Sequence, residues 1–138
     1  MEMDRNPMER ITTAGVLFSS GRYFVAKRKM GGEIGGLWEF PGGKHRWGET
    51  PAQSLQREFM EEFAMEISVG PCFHVHDFIH RGTLYHLQAF WIYADEPMQW
   101  VLNEHQEVRW VSLQELQDLD FVPSDRQVRQ RVVELAFA

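Results

Sequence analysis

Glu58, Glu61 and Glu62 crowd three carboxylates into five consecutive positions, directly after Arg57. In a helix, which turns about 100° per residue, the three acids fall within about 100° of one another on one flank. Like charges at these spacings destabilise a helix by roughly a few tenths of a kcal/mol per pair. Arg57 offsets part of that repulsion. A hard divalent cation would offset more, because Mg²⁺ prefers carboxylate oxygens and keeps waters that can face a phosphate. The plain alternative is that REFMEEF is the solvated face of an amphipathic helix. Upstream stand Gly43, five residues, Glu49, seven residues, then Arg57-Glu58. Elsewhere, His74 and His76 alternate as strand neighbours would. No zinc site is expected there, because a His-x-His pair is weak evidence for one. Cys72 is expected to be a small core residue rather than a nucleophile. No Ser-His-Asp pattern accompanies it.

The acids need a helix to carry them and a sheet to hold that helix. Thr50-Pro51-Ala52-Gln53 supplies a capping Thr, a Pro in the first helical position and a Gln at the third. Ala52, Leu55, Phe59 and Phe63 then recur at helical spacing as a buried stripe. Before this helix, residues 11–18 form an apolar, partly β-branched strand. A turn at 19–22 leads to a partner strand over 23–29. Residues 30–36 hold four glycines and read as a flexible loop, and 37–40 are a short apolar piece ending at Pro41-Gly42-Gly43. After the helix, 72–78 and 85–94 look like paired strands joined near Arg81-Gly82. Leu87, Ala89, Trp91 and Tyr93 share one face of the second. A short strand follows at 108–111. Two capping boxes, Ser112 to Glu115 and Ser124 to Gln127, open two closing helices. Val128, Val132 and Leu135 face the core from the last. The expected fold is α/β of the α+β type, a mixed sheet sandwiched between helices.

The bulk properties narrow the function. A chain of 138 residues is the size of one domain. We expect a loose tail over residues 1–10 and a single domain over 11–138. With 20 acidic and 14 basic residues the formal charge is −6, which argues against gripping polymeric nucleic acid by neutralising its phosphates. It leaves room for a small phosphorylated substrate reached through a divalent cation. No apolar run approaches the ~20 residues needed to cross a bilayer. The single cysteine permits no internal disulfide and points to the cytoplasm.

The Gly43-to-Met65 segment resembles the Nudix box. Its consensus is Gly, five residues, Glu, seven residues, Arg-Glu, an aliphatic, any residue, Glu-Glu, any residue, Gly and an aliphatic. Every charged position is present. Ala64 replaces the final Gly, which bears on the helix end, where Gly tolerates a left-handed backbone. Phe59 and Met65 stand in place of aliphatics. LWEFPGGK at 37–44 looks like the approach to the box in the MutT branch, and NEHQEVRWV at 103–111 and FVPSDRQ at 121–127 look like its later segments. The resemblance spans most of residues 11–135 and implies the Nudix fold. That branch includes enzymes hydrolysing oxidised purine nucleoside triphosphates such as 8-oxo-dGTP, and others acting on (d)CTP-type nucleotides.

The resemblance implies a division of labour. Glu58, Glu61 and Glu62 would bind metal, Mg²⁺ with Mn²⁺ able to substitute, and the Gly43 carbonyl would be a further ligand. Glu104 matches a later acid that in some relatives binds metal or acts as base; its other reading is a surface loop glutamate. Arg57 would hold the carboxylates, with Glu49 as one bidentate partner. Relatives differ in which carboxylate deprotonates water, so Glu58, Glu61 and Glu104 all stand as catalytic candidates. Arg28 resembles a phosphate-contacting position, or is an edge-strand cation. Phe40 and Asp125 resemble base-contacting positions. An ionised Asp125 would accept from an amino group, as on cytosine or adenine, and a protonated one would donate to an oxidised guanine. Asp125 could instead serve only the helix dipole. The implied function is a nucleoside triphosphate pyrophosphohydrolase, monomeric or homodimeric. The alternatives are a hydrolase of a dinucleoside polyphosphate or nucleotide sugar, and a non-catalytic nucleotide sensor.

Overall fold

The computed structural model describes residues 8–138. Its elements are β1 (Met8–Ser19), β2 (Arg22–Arg28), β3 (Trp38–Glu39), α1 (Pro51–Phe63), β4 (Ser68–His80), β5 (Thr83–Tyr93), β6 (His105–Val111), α2 (Leu113–Asp118) and α3 (Arg126–Ala136). The six strands make one mixed sheet in the order β3-β2-β1-β5-β4, with β6 on the other edge of β2. β1 and β5 are parallel, in register from Met8↔Thr83 to Leu17↔Ile92. The β1–β2 hairpin pairs only at Phe18↔Tyr23 and Ser19↔Arg22. Beyond that the strands part, and β3 takes the far half of β2 through Ala26↔Glu39.

Alternation along the strands builds two cores. Val16, Tyr23, Val25, Leu87 and Ala89 pack with Leu116, Val128 and Val132 of α2 and α3. Their neighbours Leu17, Phe24, Ala26 and Ile92 pack with Leu55, Phe59 and Phe63 of α1. Burying one such Leu or Phe stabilises by about 1.5–3 kcal/mol. The sheet is therefore sandwiched as expected. α1 approaches β1 closely, since a Cβ at Gly15 would lie 2.9 Å from Phe59 Cε1.

Several local expectations change. Met8, Glu9 and Arg10 belong to β1 and not to a tail; residues 1–7 of that expected tail lie outside the described residues. Their pairing with β5 extends the strand, and no local hydrophobic pattern announces it. Cys72 is exposed rather than in the core, because β4 is an edge strand with an irregular register around it. Leu135 is only half-buried. The capping boxes at Thr50 and Ser112 form as expected. The one at Ser124 does not: Pro123–Asp125 is a short 3-10 turn, and α3 starts after Asp125 without a side-chain cap. Ala64 closes α1 in the left-handed conformation that Gly takes more readily, at φ 55° and ψ 35°.

Candidate active site

β1 exposes backbone where it leaves β2, and residues 41–45 fill the gap. Thr13 N donates to Gly43 O at 2.9 Å, Gly15 N to Pro41 O at 2.8 Å, and His45 N to Ile11 O at 2.9 Å. This ladder carries the glycine turn along the sheet until it meets α1. There Gly43 has no room for a side chain: a Cβ would stand 2.3 Å from Glu58 Oε2. The Gly43 carbonyl also accepts from Thr13 Oγ1 at 3.2 Å, so a cation there competes with Thr13.

Arg57 organises the acids. Its Nε and Nη2 bind Glu49 bidentately at 2.6 and 3.1 Å, the partner anticipated from the sequence. Nη1 reaches Glu58 at 2.9 Å and Glu61 at 3.3 Å, and Nη2 donates to Lys44 O at 3.1 Å. The guanidinium pulls the Glu49 carboxyl down to about 2. Glu61 is more exposed than Glu58 and is also 3.6 Å from Arg46, so it sits at the rim.

Glu62 differs from both. It is 4% exposed, and its Oε1 has no hydrogen-bond partner among the described residues. Burial first, then the nearby Glu58, Glu39 and Glu104 carboxylates, raise its pKa well above the ordinary range. Behind it lie two residues that the sequence reading missed. His105 Nε2 is 2.6 Å from Glu39 Oε2 and 3.7 Å from Glu62 Oε1. A carboxylate only accepts, so Nε2 carries the proton toward Glu39. The ring stacks on Phe63 at 5.1 Å. Glu39 Oε1 accepts from Arg28 Nη1 at 3.1 Å. The missed signal for Glu39 was its place between two buried aromatics, Trp38 and Phe40, where strand alternation turns it to the opposite face.

Two clefts meet at this point. One, of about 480 Å³, is lined by carboxylates and cations, among them Glu58, Glu62, Glu104, Arg28 and Lys44. The second, of about 490 Å³, is more apolar, with Phe78, Tyr85, Leu87, Val122 and Asp125 in its wall. Arg28, Glu39, Gly42, Gly43 and Lys44 line both. Glu104 is exposed but faces the first cleft. Phe40 lines the second cleft but is 2% exposed and packs edge-on against Phe121 at 5.0 Å, so little of its ring is open to a ligand. Its N–H donates to Asp125 Oδ2 at 2.8 Å. Asp125 therefore faces the second cleft instead of capping α3. Burial, with the Glu39 charge adding, pushes its carboxyl up to about 8. His74 and His76 bond each other at 2.9 Å.

The donors suit a hard cation. Glu58, Glu62 and Glu104 line one cleft, Glu62 with a buried, unsatisfied oxygen. Among the described residues, the ligand atoms that converge closely enough to share an ion are those of Glu39, Glu62 and His105, without Glu58 or Glu61. Water attack on a phosphorus held between such a cation patch and the cleft's basic residues is chemistry the arrangement can perform.

A family model described as NUDIX domain matches residues 13–131. A Mycobacterium tuberculosis protein provisionally named 8-oxo-dGTP diphosphatase 2 is 35% identical over 86% of this chain and 84% of its own length. The Escherichia coli CTP pyrophosphohydrolase is 33% identical over 81% of this chain and 82% of its own length. The solution structure of the E. coli ORF135 protein superposes with a TM-score of 0.82 at 27% identity, covering 94% of this chain and 92% of that one.

Proposed function

The chain belongs to the Nudix family and is a hydrolase of diphosphate linkages, and from that footing we propose that it converts a nucleoside triphosphate to the monophosphate and pyrophosphate with Mg²⁺. The observation that carries this reading is the junction of two clefts, one lined by acids and cations and one apolar with a buried carboxyl. A nucleotide has the same two-part chemistry.

Glu58, Glu62 and Glu104 would hold the cation, with Gly43 O joining where Thr13 releases it and Glu61 at the rim. Bound Mg²⁺, or Mn²⁺ in its place, neutralises phosphate charge and acidifies water. The protein's own groups do the rest. Arg28 and Lys44 bind phosphate oxygens at the cleft junction. Arg57 keeps Glu58 and Glu61 aimed by holding both and anchoring on Glu49. Glu58, Glu61 or Glu104 takes the proton of the attacking water as the phosphorus–oxygen bond to the leaving phosphate breaks.

Asp125 bears on the base. With its carboxyl near 8 it is protonated at neutral pH, and its hydroxyl can donate while the other oxygen accepts from Phe40. That favours an oxidised purine of the 8-oxo-dGTP type over (d)CTP, whose amino group needs an acceptor. The relatives' names support both classes. The substrate is a small molecule, and the lone cysteine fits a cytoplasmic setting.

The test is pyrophosphate release from a panel of nucleoside triphosphates with Mg²⁺, including oxidised purines and cytidine nucleotides. Oxidised dGTP should turn over fastest. Release only from dinucleoside polyphosphates or nucleotide sugars would move the assignment to those substrates. Tight nucleotide binding without turnover would make the protein a sensor.

A further inference from the structure

We propose that Arg10 binds the distal phosphate of a nucleoside triphosphate and thereby sets a preference for triphosphates over diphosphates. This rests on the nucleotide reading of the site.

The overlap of the clefts gives the nucleotide a direction. With the base beside Asp125, the phosphates must first pass the shared stretch of Arg28, Gly43 and Lys44. Phosphates farther along enter the part lined by the carboxylate cleft alone, where Arg10, Lys29 and Arg46 supply the cations. These three differ in what they already hold. Arg46 lies 3.6 Å from Glu61 Oε2. Lys29 is exposed, a mobile point charge without a fixed geometry. Arg10 is half-buried, and no carboxylate among the described residues pairs with it. Among the described residues its Nη2 reaches the His45 carbonyl, at a long 3.4 Å.

The position is rigid because of the strand extension. Arg10 pairs with Tyr85 of β5 in the parallel ladder, and the next residue, Ile11, accepts from His45 N at 2.9 Å. A guanidinium so placed offers parallel N–H groups to two phosphate oxygens. Cleavage between the α- and β-phosphates releases pyrophosphate from a triphosphate and orthophosphate from a diphosphate. Arg10 lines the carboxylate cleft and not the apolar one, so in this orientation it meets the phosphates beyond the shared stretch, which the longer leaving group supplies.

The experiment titrates inorganic pyrophosphate and orthophosphate into the Mg²⁺-loaded protein by calorimetry, in wild type and in Arg10→Ala, Arg10→Gln and Arg10→Lys. Loss of a charge-assisted contact should lower the pyrophosphate-to-orthophosphate affinity ratio about tenfold in the Ala and Gln variants. Arg10→Lys should recover part, since the charge remains and the fork is lost. The ratio of kcat/KM for a nucleoside triphosphate over its diphosphate should fall by a similar factor. Ratios unchanged in Arg10→Ala and Arg10→Gln, with both melting near wild type, would overturn the proposal. So would equal weakening of both ligands. If the wild-type protein turns over no nucleotide, the proposed function fails, while the pyrophosphate titration still decides the role of Arg10.

Discussion

At the scale of single residues, the site depends on what is missing at Gly43 and on what is protonated at Asp125. Gly43→Ala would place a methyl carbon where Glu58 Oε2 lies 2.3 Å away. The carboxylate must move, and displacement by about 1 Å costs on the order of 10²-fold in rate. Steady-state kinetics should show that loss in kcat with the melting temperature little changed; near-normal kcat would remove Glu58 from the machinery. Asp125 predicts a pH effect on stability. Its folded pKa of about 8 lies above the ordinary 3.8, so between those values the folded state keeps a proton that the unfolded chain has lost. By linkage, this group makes stability fall as pH rises from 3.8 toward 8. Asp125→Asn keeps the acceptor for Phe40 N–H and cannot ionise. Its melting temperature should decline less across that window than wild type, and parallel curves would contradict the protonated carboxyl. The box acids were legible in the sequence because their spacing is fixed on one helix, and the Arg57–Glu49 pair because the resemblance to the Nudix box implied it. Glu39 and His105 were not, because their meeting depends on β3 and β6 both flanking β2.

At the scale of elements, capping chemistry was readable at two of three places, and the failure has a cause. Thr50 and Ser112 precede helices whose third residue bonds back. Ser124 follows Pro123, which opens a 3-10 turn, and Asp125 is drawn away to Phe40. The two serine/threonine positions should therefore respond differently. Thr50→Ala removes an acceptor for Gln53 N–H and should cost about 1 kcal/mol. Ser124→Ala should stay within about 0.5 kcal/mol. Denaturant unfolding of both variants checks this, and an equal loss would restore the cap at Ser124. Strand boundaries were the less legible part: β1 begins three residues before the apolar run because β5 offers it a partner.

At the scale of the whole molecule, the proposed cation site would couple ion binding to folding through α1. The fold buries Glu62 with one oxygen unsatisfied, a cost that a bound cation removes. Mg²⁺ should raise the melting temperature in a concentration-dependent way. Glu62→Gln should raise the metal-free melting temperature and weaken the Mg²⁺ response, and an undiminished response would exclude Glu62 as a ligand. The mixed sheet sandwiched between helices was legible from the order of strands and helices, whereas the route of the chain between β1 and β5 was not. That route has a consequence for biogenesis. A nascent polypeptide that has emerged through α1 already contains every acid of the box. It lacks the parallel neighbour that Met8 to Leu17 zip onto, some 75 residues downstream. The acid-bearing helix then has only part of the surface it packs against, and its pocket wall at Tyr85 and Leu87 has not been synthesised. Hydrolytic competence therefore has to wait for β5 to emerge and close the sheet beside β1.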